Sequence, residues 1–185
     1  MMQTSNAACE PQSFIEAGIY EIFGNGVRVP VDTKSSLSSP LEAYKEQFIR
    51  DYGKTETNGL FIRAGRAAFY YWLSQYAADL GWKDAEFRLL PPPVRTRKAL
   101  SEFLAWLKQE NLLDAELNSS CDYWQIIRPG LTQTDSGLDC SYLLGMLQEL
   151  VSWAGGGKFY PAFEEQCQAA GAKQCVFKIN CLPAN

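Results

Sequence analysis

Apolar residues recur at helical spacing in four stretches of the chain. Over residues 40–52, Leu41, Tyr44 and Phe48 form one stripe behind Ser39-Pro40, a capping residue followed by a proline at the first helical position. Residues 60–80 predict a second helix, small on one side at its start (Ala64, Gly65, Ala67, Ala68) and then aromatic (Phe69, Tyr70, Tyr71, Trp72, Tyr76), with Gly81 as its C-cap. Small residues let a neighbouring backbone approach closely, while the aromatics bury large areas. Pro91-Pro92-Pro93 is expected to stand outside any helix and to separate this one from the next. Residues 96–110 then carry Leu100, Phe103, Leu104 and Leu107 on one face. Residues 137–154 are apolar nearly all round, which predicts a helix buried on most faces or held in a subunit interface.

The remaining apolar runs read as strands. Ile19–Phe23 and Val27–Val31, on either side of Gly24-Asn25-Gly26, predict a small hairpin. Residues 122–128 form a strand stopped by Pro129-Gly130. Residues 163–179 form a second hairpin turning near Gly171, with Cys175, Phe177, Ile179 and Cys181 sharing one face of its last strand. Helices packed on an antiparallel sheet make this an α+β domain. The expected organisation is an N-terminal arm over residues 1–36 and one domain over residues 37–185.

Composition narrows the chemistry. At 46% apolar and 21% charged, 185 residues suffice for a real core. A net charge of −4 and a pI of about 5.0 argue against nucleic acid as the main partner. Histidine is absent, which excludes Ser-His-Asp and Cys-His nucleophile systems, histidine-ligated haem and histidine-rich catalytic zinc. No Gly-x-Gly-x-x-Gly follows a strand, so no dinucleotide site is legible, and a non-enzyme is expected. No apolar run approaches the ~20 residues of a membrane helix, and the first residues lack a secretory pattern. A cytoplasmic protein is therefore expected, a setting in which clustered thiols bind metal more often than they form disulfides.

With the 163–179 hairpin centred on Gly171, Cys167 and Cys175 stand across from each other. Glu164 lies just upstream and Cys140 on the preceding helix, a candidate metal site of three cysteines and a glutamate. Glu164, three residues before Cys167, points to the opposite face of a regular strand, so the site requires a bulge or strong twist between them. Two other readings stay open: cysteines packed as small hydrophobes, and a Cys167–Cys175 disulfide. Phe69, Trp72, Tyr76 and Trp124 are candidates to line a cavity for a flat, hydrophobic ligand, or simply core residues. Arg88, Arg95, Arg97 and Lys98 cluster around the prolines, as a ligand carboxylate site or a solvated loop.

Residues 137–179 resemble the 4-vinyl reductase family of small-molecule-binding domains. The resemblance is carried by Cys140-Ser141-Tyr142-Leu143-Leu144-Gly145, by Trp153-Ala154-Gly155-Gly156-Gly157-Lys158-Phe159, and by Glu164-x-x-Cys167-x-Ala169-x-Gly171-x-x-x-Cys175-x-Phe177. It implies a mixed fold related to subunits of the TRAPP vesicle-tethering complex, often homodimeric. It also implies zinc held by a Cys, Glu, Cys, Cys set, here Cys140, Glu164, Cys167 and Cys175, as in sensor domains of aromatic-responsive regulators. Phenol-sensing members use a pocket histidine that this chain lacks, so that ligand class does not carry over.

The resulting expectation is a non-catalytic binding protein for a hydrophobic small molecule, braced by structural zinc and homodimeric. By analogy with stand-alone relatives, it would act in tetrapyrrole handling or photosystem assembly, with a protein partner in that pathway. Two alternatives follow from the same resemblance: a TRAPP-like interaction subunit without ligand, and a vinyl-group reductase or its accessory.

Overall fold

The structure, a computed structural model, describes residues 13–24, 40–130 and 138–184. In chain order these form α1 (Phe14–Phe23), α2 (Pro40–Tyr52), α3 (Lys54–Tyr76), the single turn α4 (Ala85–Arg88), α5 (Pro92–Gln109), β1 (Glu116–Ser119), β2 (Tyr123–Arg128), α6 (Cys140–Ala154), β3 (Ala162–Gln166) and β4 (Cys175–Asn180). The four strands make one antiparallel sheet in the order β1-β2-β4-β3. The α+β class expected from the sequence is the observed one.

α6 is the hub. It packs on α3 and α5 on one side and meets β3 and β4 on the other, while α1 and α2 lie against α3. Its apolar circumference is thus consumed within the chain: Tyr142, Leu143, Met146, Leu147, Leu150 and Val151 are all fully buried. The α3–α6 crossing is made by two glycines. A Cβ on Gly65 would stand 2.0 Å from the Tyr142 carbonyl oxygen, and one on Gly145 would stand 2.0 Å from that of Ile62. The small side predicted for the second helix is where another backbone comes closest. α1 uses the same device, since a Cβ on Gly18 would lie 2.5 Å from the Ala64 carbonyl oxygen.

That contact corrects the predicted N-terminal hairpin. Ile19–Phe23 is the second half of α1, and the return strand at 27–31 lies outside the described residues. The helix wins because both ends are capped: the Ser13 side chain accepts from Glu16 N at 3.3 Å, and Gly24 ends it at a φ of 82°. Phe14, Ala17 and Gly18 then form its buried stripe. Further ties bind it to the body, since Tyr142 Oη donates to the Ile15 carbonyl at 2.7 Å and Phe23 stacks on Phe48 at 3.9 Å.

The prolines are a second correction. α5 begins at Pro92, with Pro91 as its N-cap, because first-turn N–H groups have no intrahelical partner and their loss costs the helix nothing. The helix predicted for 60–80 starts six residues earlier, at Lys54, and ends at Tyr76. Gly81 is not its cap but serves a following turn, at a φ of 69°. β1 had no counterpart in the sequence reading. It is an edge strand with mostly exposed polar residues around Leu117, so it lacks an alternating apolar pattern. Among the described residues, no helix is long and apolar enough to cross a membrane.

Candidate metal centre and flanking clefts

The centre is assembled from three elements. β4 presents Cys175 on the same face as Phe177 and Ile179, turned toward α6 and buried. α6 opens on Cys140 immediately after its N-cap, Asp139, whose side chain accepts from Ser141 N at 2.9 Å and Tyr142 N at 3.2 Å. Lys45 pairs with the same Asp139 carboxylate. β3 supplies Glu164, and the residue after its end is Cys167.

The bulge that the site requires is present. Glu164 pairs with Phe177 and Gln166 with Val176, so two steps along β3 match one along β4 and Glu165 is the extra residue. The slip brings Glu164 and Cys167 to one face despite their three-residue spacing. The turn that follows is a short 3₁₀ segment, Gln168–Ala170, closed by Gly171 in the left-handed conformation at a φ of 93°.

One ligand atom from each of Cys140, Glu164, Cys167 and Cys175 lies within 4.8 Å of the others. The Sγ atoms of Cys140 and Cys175 are 3.4 Å apart, and the described cysteines are all free thiols. Two sulfurs bound tetrahedrally at ~2.3 Å would stand roughly 3.8 Å apart, so small adjustments accommodate an ion. The electrostatics also fit a cation. Burial, then the Glu164 charge, then Cys175, push the Cys140 thiol far up. Burial and a hydrogen bond with Glu164 raise Cys167. Glu164 Oε1 is buried with no hydrogen-bond partner, a costly state for a carboxylate oxygen. A divalent ion at the centre would reverse this logic, favouring the thiolates and occupying the orphaned oxygen. Gln168 N points at Cys175 Sγ from 3.4 Å, a donor placed for a thiolate. Four protein donors would leave no open position, so such an ion would be structural.

The aromatic candidates sort differently. Phe69 and Trp72 are fully buried, and Trp124 is buried on the core face of the sheet beside Tyr160. Tyr76 alone among the four lines one of the two described clefts, of about 250 Å³, between α1 and the C-terminal ends of α3 and α5. A second cleft of about 160 Å³ is lined by Trp82, Phe87, Trp153, Arg88 and Arg95. Its three rings are nearly parallel, with Trp82–Phe87 at 8° and Trp82–Trp153 at 24°. Phe69 and Trp72 back this wall, at 6.2 Å from Trp153 and 5.3 Å from Trp82 respectively. The sequence reading missed Trp82, Phe87 and Trp153 because a turn, a one-turn helix and a helix end supply them and no single periodicity links them. Arg95, read as part of a basic surface cluster, is a fastener: Nε donates to the Ala154 carbonyl at 2.6 Å and Nη1 to that of Arg88 at 2.8 Å.

No family profile matches the sequence, and no curated protein matches it. Among solved structures, the fold is similar to that of the phenol-responsive sensory domain of the transcription activator PoxR with phenol. The TM-score is 0.52 at 14% identity, over 77% of this chain and 73% of that one. At that identity the likeness shows the fold.

Proposed function

We propose that this chain is a non-catalytic, small-molecule-binding domain whose sheet is fastened to α6 by a structural zinc ion on Cys140, Glu164, Cys167 and Cys175. The observation that carries the metal is the convergence of donor atoms from those four side chains, with one Glu164 oxygen left without a hydrogen-bond partner. When bound, the ion supplies cross-linking and charge compensation rather than reactivity. The fold shared with a phenol-responsive sensory domain supports the binding role. The ring-walled cleft at Trp82, Phe87 and Trp153 supports a place for the ligand. At about 160 Å³ it matches the ~150 Å³ that holds one benzene ring in a protein interior. A ligand of about one ring is thus favoured over the tetrapyrrole pigment that the family resemblance implies, and homodimerisation is part of the same proposal.

Native mass spectrometry of the purified protein tests these together. The expected spectrum shows one zinc per chain, a dimer, and the mass of any retained ligand. Cys175→Ser is expected to be insoluble or unfolded, since apparent structural zinc affinities of ~10–16 kcal/mol rival a domain's whole stability. A metal-free wild type together with a soluble, equally stable Cys175→Ser protein would refute the zinc clasp. Substrate-dependent NADPH consumption would refute the non-catalytic reading.

A further inference from the structure

The larger cleft stands apart from the metal centre and has a different chemistry. Its walls come from the start of α1 (Phe14), the last turns of α3 (Tyr71, Gln75, Tyr76) and the end of α5 (Trp106, Glu110). Tyr76 and Trp106 lie against each other with centroids 4.6 Å apart, and Phe14 meets Trp106 edge-on at 5.9 Å. Four aromatic rings therefore border one opening of about 250 Å³.

Among the described residues the charge at the cleft has one sign: no basic side chain lines it, whereas the Glu110 carboxylate does. Among the described residues, Glu110 has no hydrogen bond or ion pair from its side chain, and neither has Gln75. A second carboxylate, Glu21, accepts from Tyr71 Oη at 2.9 Å and so lies at the hydroxyl end of that ring. Two helices, α3 and α5, end at the cleft with their carbonyl groups, the negative ends of their dipoles. The N-terminus of α1 also borders the cleft, and one of its free N–H groups, that of Glu16, is already capped by Ser13. The nearest lysine in sequence, Lys108, is engaged by Asp114 at 2.9 Å.

We propose that this cleft binds a small organic cation of the substituted-ammonium class, with Tyr76, Trp106, Tyr71 and Phe14 as an aromatic cage and Glu110 as its counter-charge. Aromatic faces attract cations through the ring quadrupole and do so best when the ion is weakly hydrated, as a trimethylammonium group is. The site is independent of the zinc clasp and of the ring-walled cleft, so its success or failure leaves those readings untouched.

Choline is the probe, and its uncharged carbon isostere, with a tert-butyl group in place of the trimethylammonium, is the control. Titrations of the full chain are followed through the indole N–H signals in a proton–nitrogen correlation spectrum, with Trp106→Phe assigning the Trp106 resonance. Choline is expected to shift the Trp106 signal saturably and to bind about tenfold more tightly than the isostere, with affinity falling as salt rises. Glu110→Gln, an exposed change at a helix end, should keep the rest of the spectrum and weaken choline roughly five- to tenfold. Equal affinity for choline and the isostere would overturn the proposal, as would unchanged choline affinity in Glu110→Gln or the absence of any shift at Trp106.

Discussion

Glu149 shows how one buried charge is made tolerable on an otherwise apolar helix. It is nearly inaccessible on α6, and both oxygens are used: Arg66 Nε donates to Oε2 at 2.7 Å and Tyr70 Oη to Oε1 at 2.6 Å. Removing a partner would leave the carboxylate short of donors, which is the expensive outcome for a buried ion. The hydrogen bond to Glu149, with burial and the nearby negative charge adding to it, pushes Tyr70 up from 10.0 to about 12. Because the folded value is the higher one, the contribution is complete below pH 10 and is lost as pH climbs toward about 12. Tyr70 is half-exposed, so the effect is small. Chemical denaturation across this range should show Tyr70→Phe losing less stability with rising pH than the parent. Titration of tyrosinate absorbance should show one late-ionising group missing in that variant.

At the scale of elements, the α3–α6 crossing makes the sharpest contrast. Gly65→Ala or Gly145→Ala must push a backbone carbonyl away, and each is expected to cost roughly 1–3 kcal/mol or more. Gly59 lies in the same helix α3 with nothing within 4 Å of an added Cβ, so Gly59→Ala should instead stabilise by about 0.5–1 kcal/mol. Urea unfolding of the three variants decides both signs. The crossing was legible because Ala64, Gly65, Ala67 and Ala68 interrupt an otherwise bulky helix, and the cysteine hairpin was legible because two strand-forming runs flank the turn at Gly171, although the bulge at Glu165 moves Glu164 from Lys178 to Phe177. α1 was not, since Ile19–Phe23 is equally apolar in either period and its outcome depends on Ser13, Gly24 and the distant Ala64. β1 was not, because an exposed edge strand owes its pairing to β2 and not to its own pattern. The clefts are products of three elements each, and tertiary placement of this kind leaves no local trace.

For the whole molecule, the candidate metal centre joins parts that lie far apart in sequence. Cys140 is separated from Cys175 by 35 positions, and the Asp139 cap beside it is held by Lys45 of α2. Chelation is therefore expected to act on global cooperativity rather than on one hairpin. In differential scanning fluorimetry, excess chelator should lower the melting midpoint, and the midpoint should rise again with free zinc concentration, as mass action requires for a ligand of the folded state. A melting curve indifferent to both would count against the clasp.

The extra residue in β3 has a consequence for how molecules meet one another. β3 is an outer strand of the sheet, and Phe163 on it is 47% exposed, a surface that could template another chain's strand. Glu165 interrupts that template, unpaired in the ladder with its carboxylate held by Lys178 Nζ at 2.5 Å. Deleting Glu165 would leave Glu164 two positions from Cys167, still on one face, so zinc should be retained. The straightened edge would lose its kink and its charge together. Size-exclusion chromatography should then show zinc-loaded protein eluting as aggregates, separating metal binding from solubility.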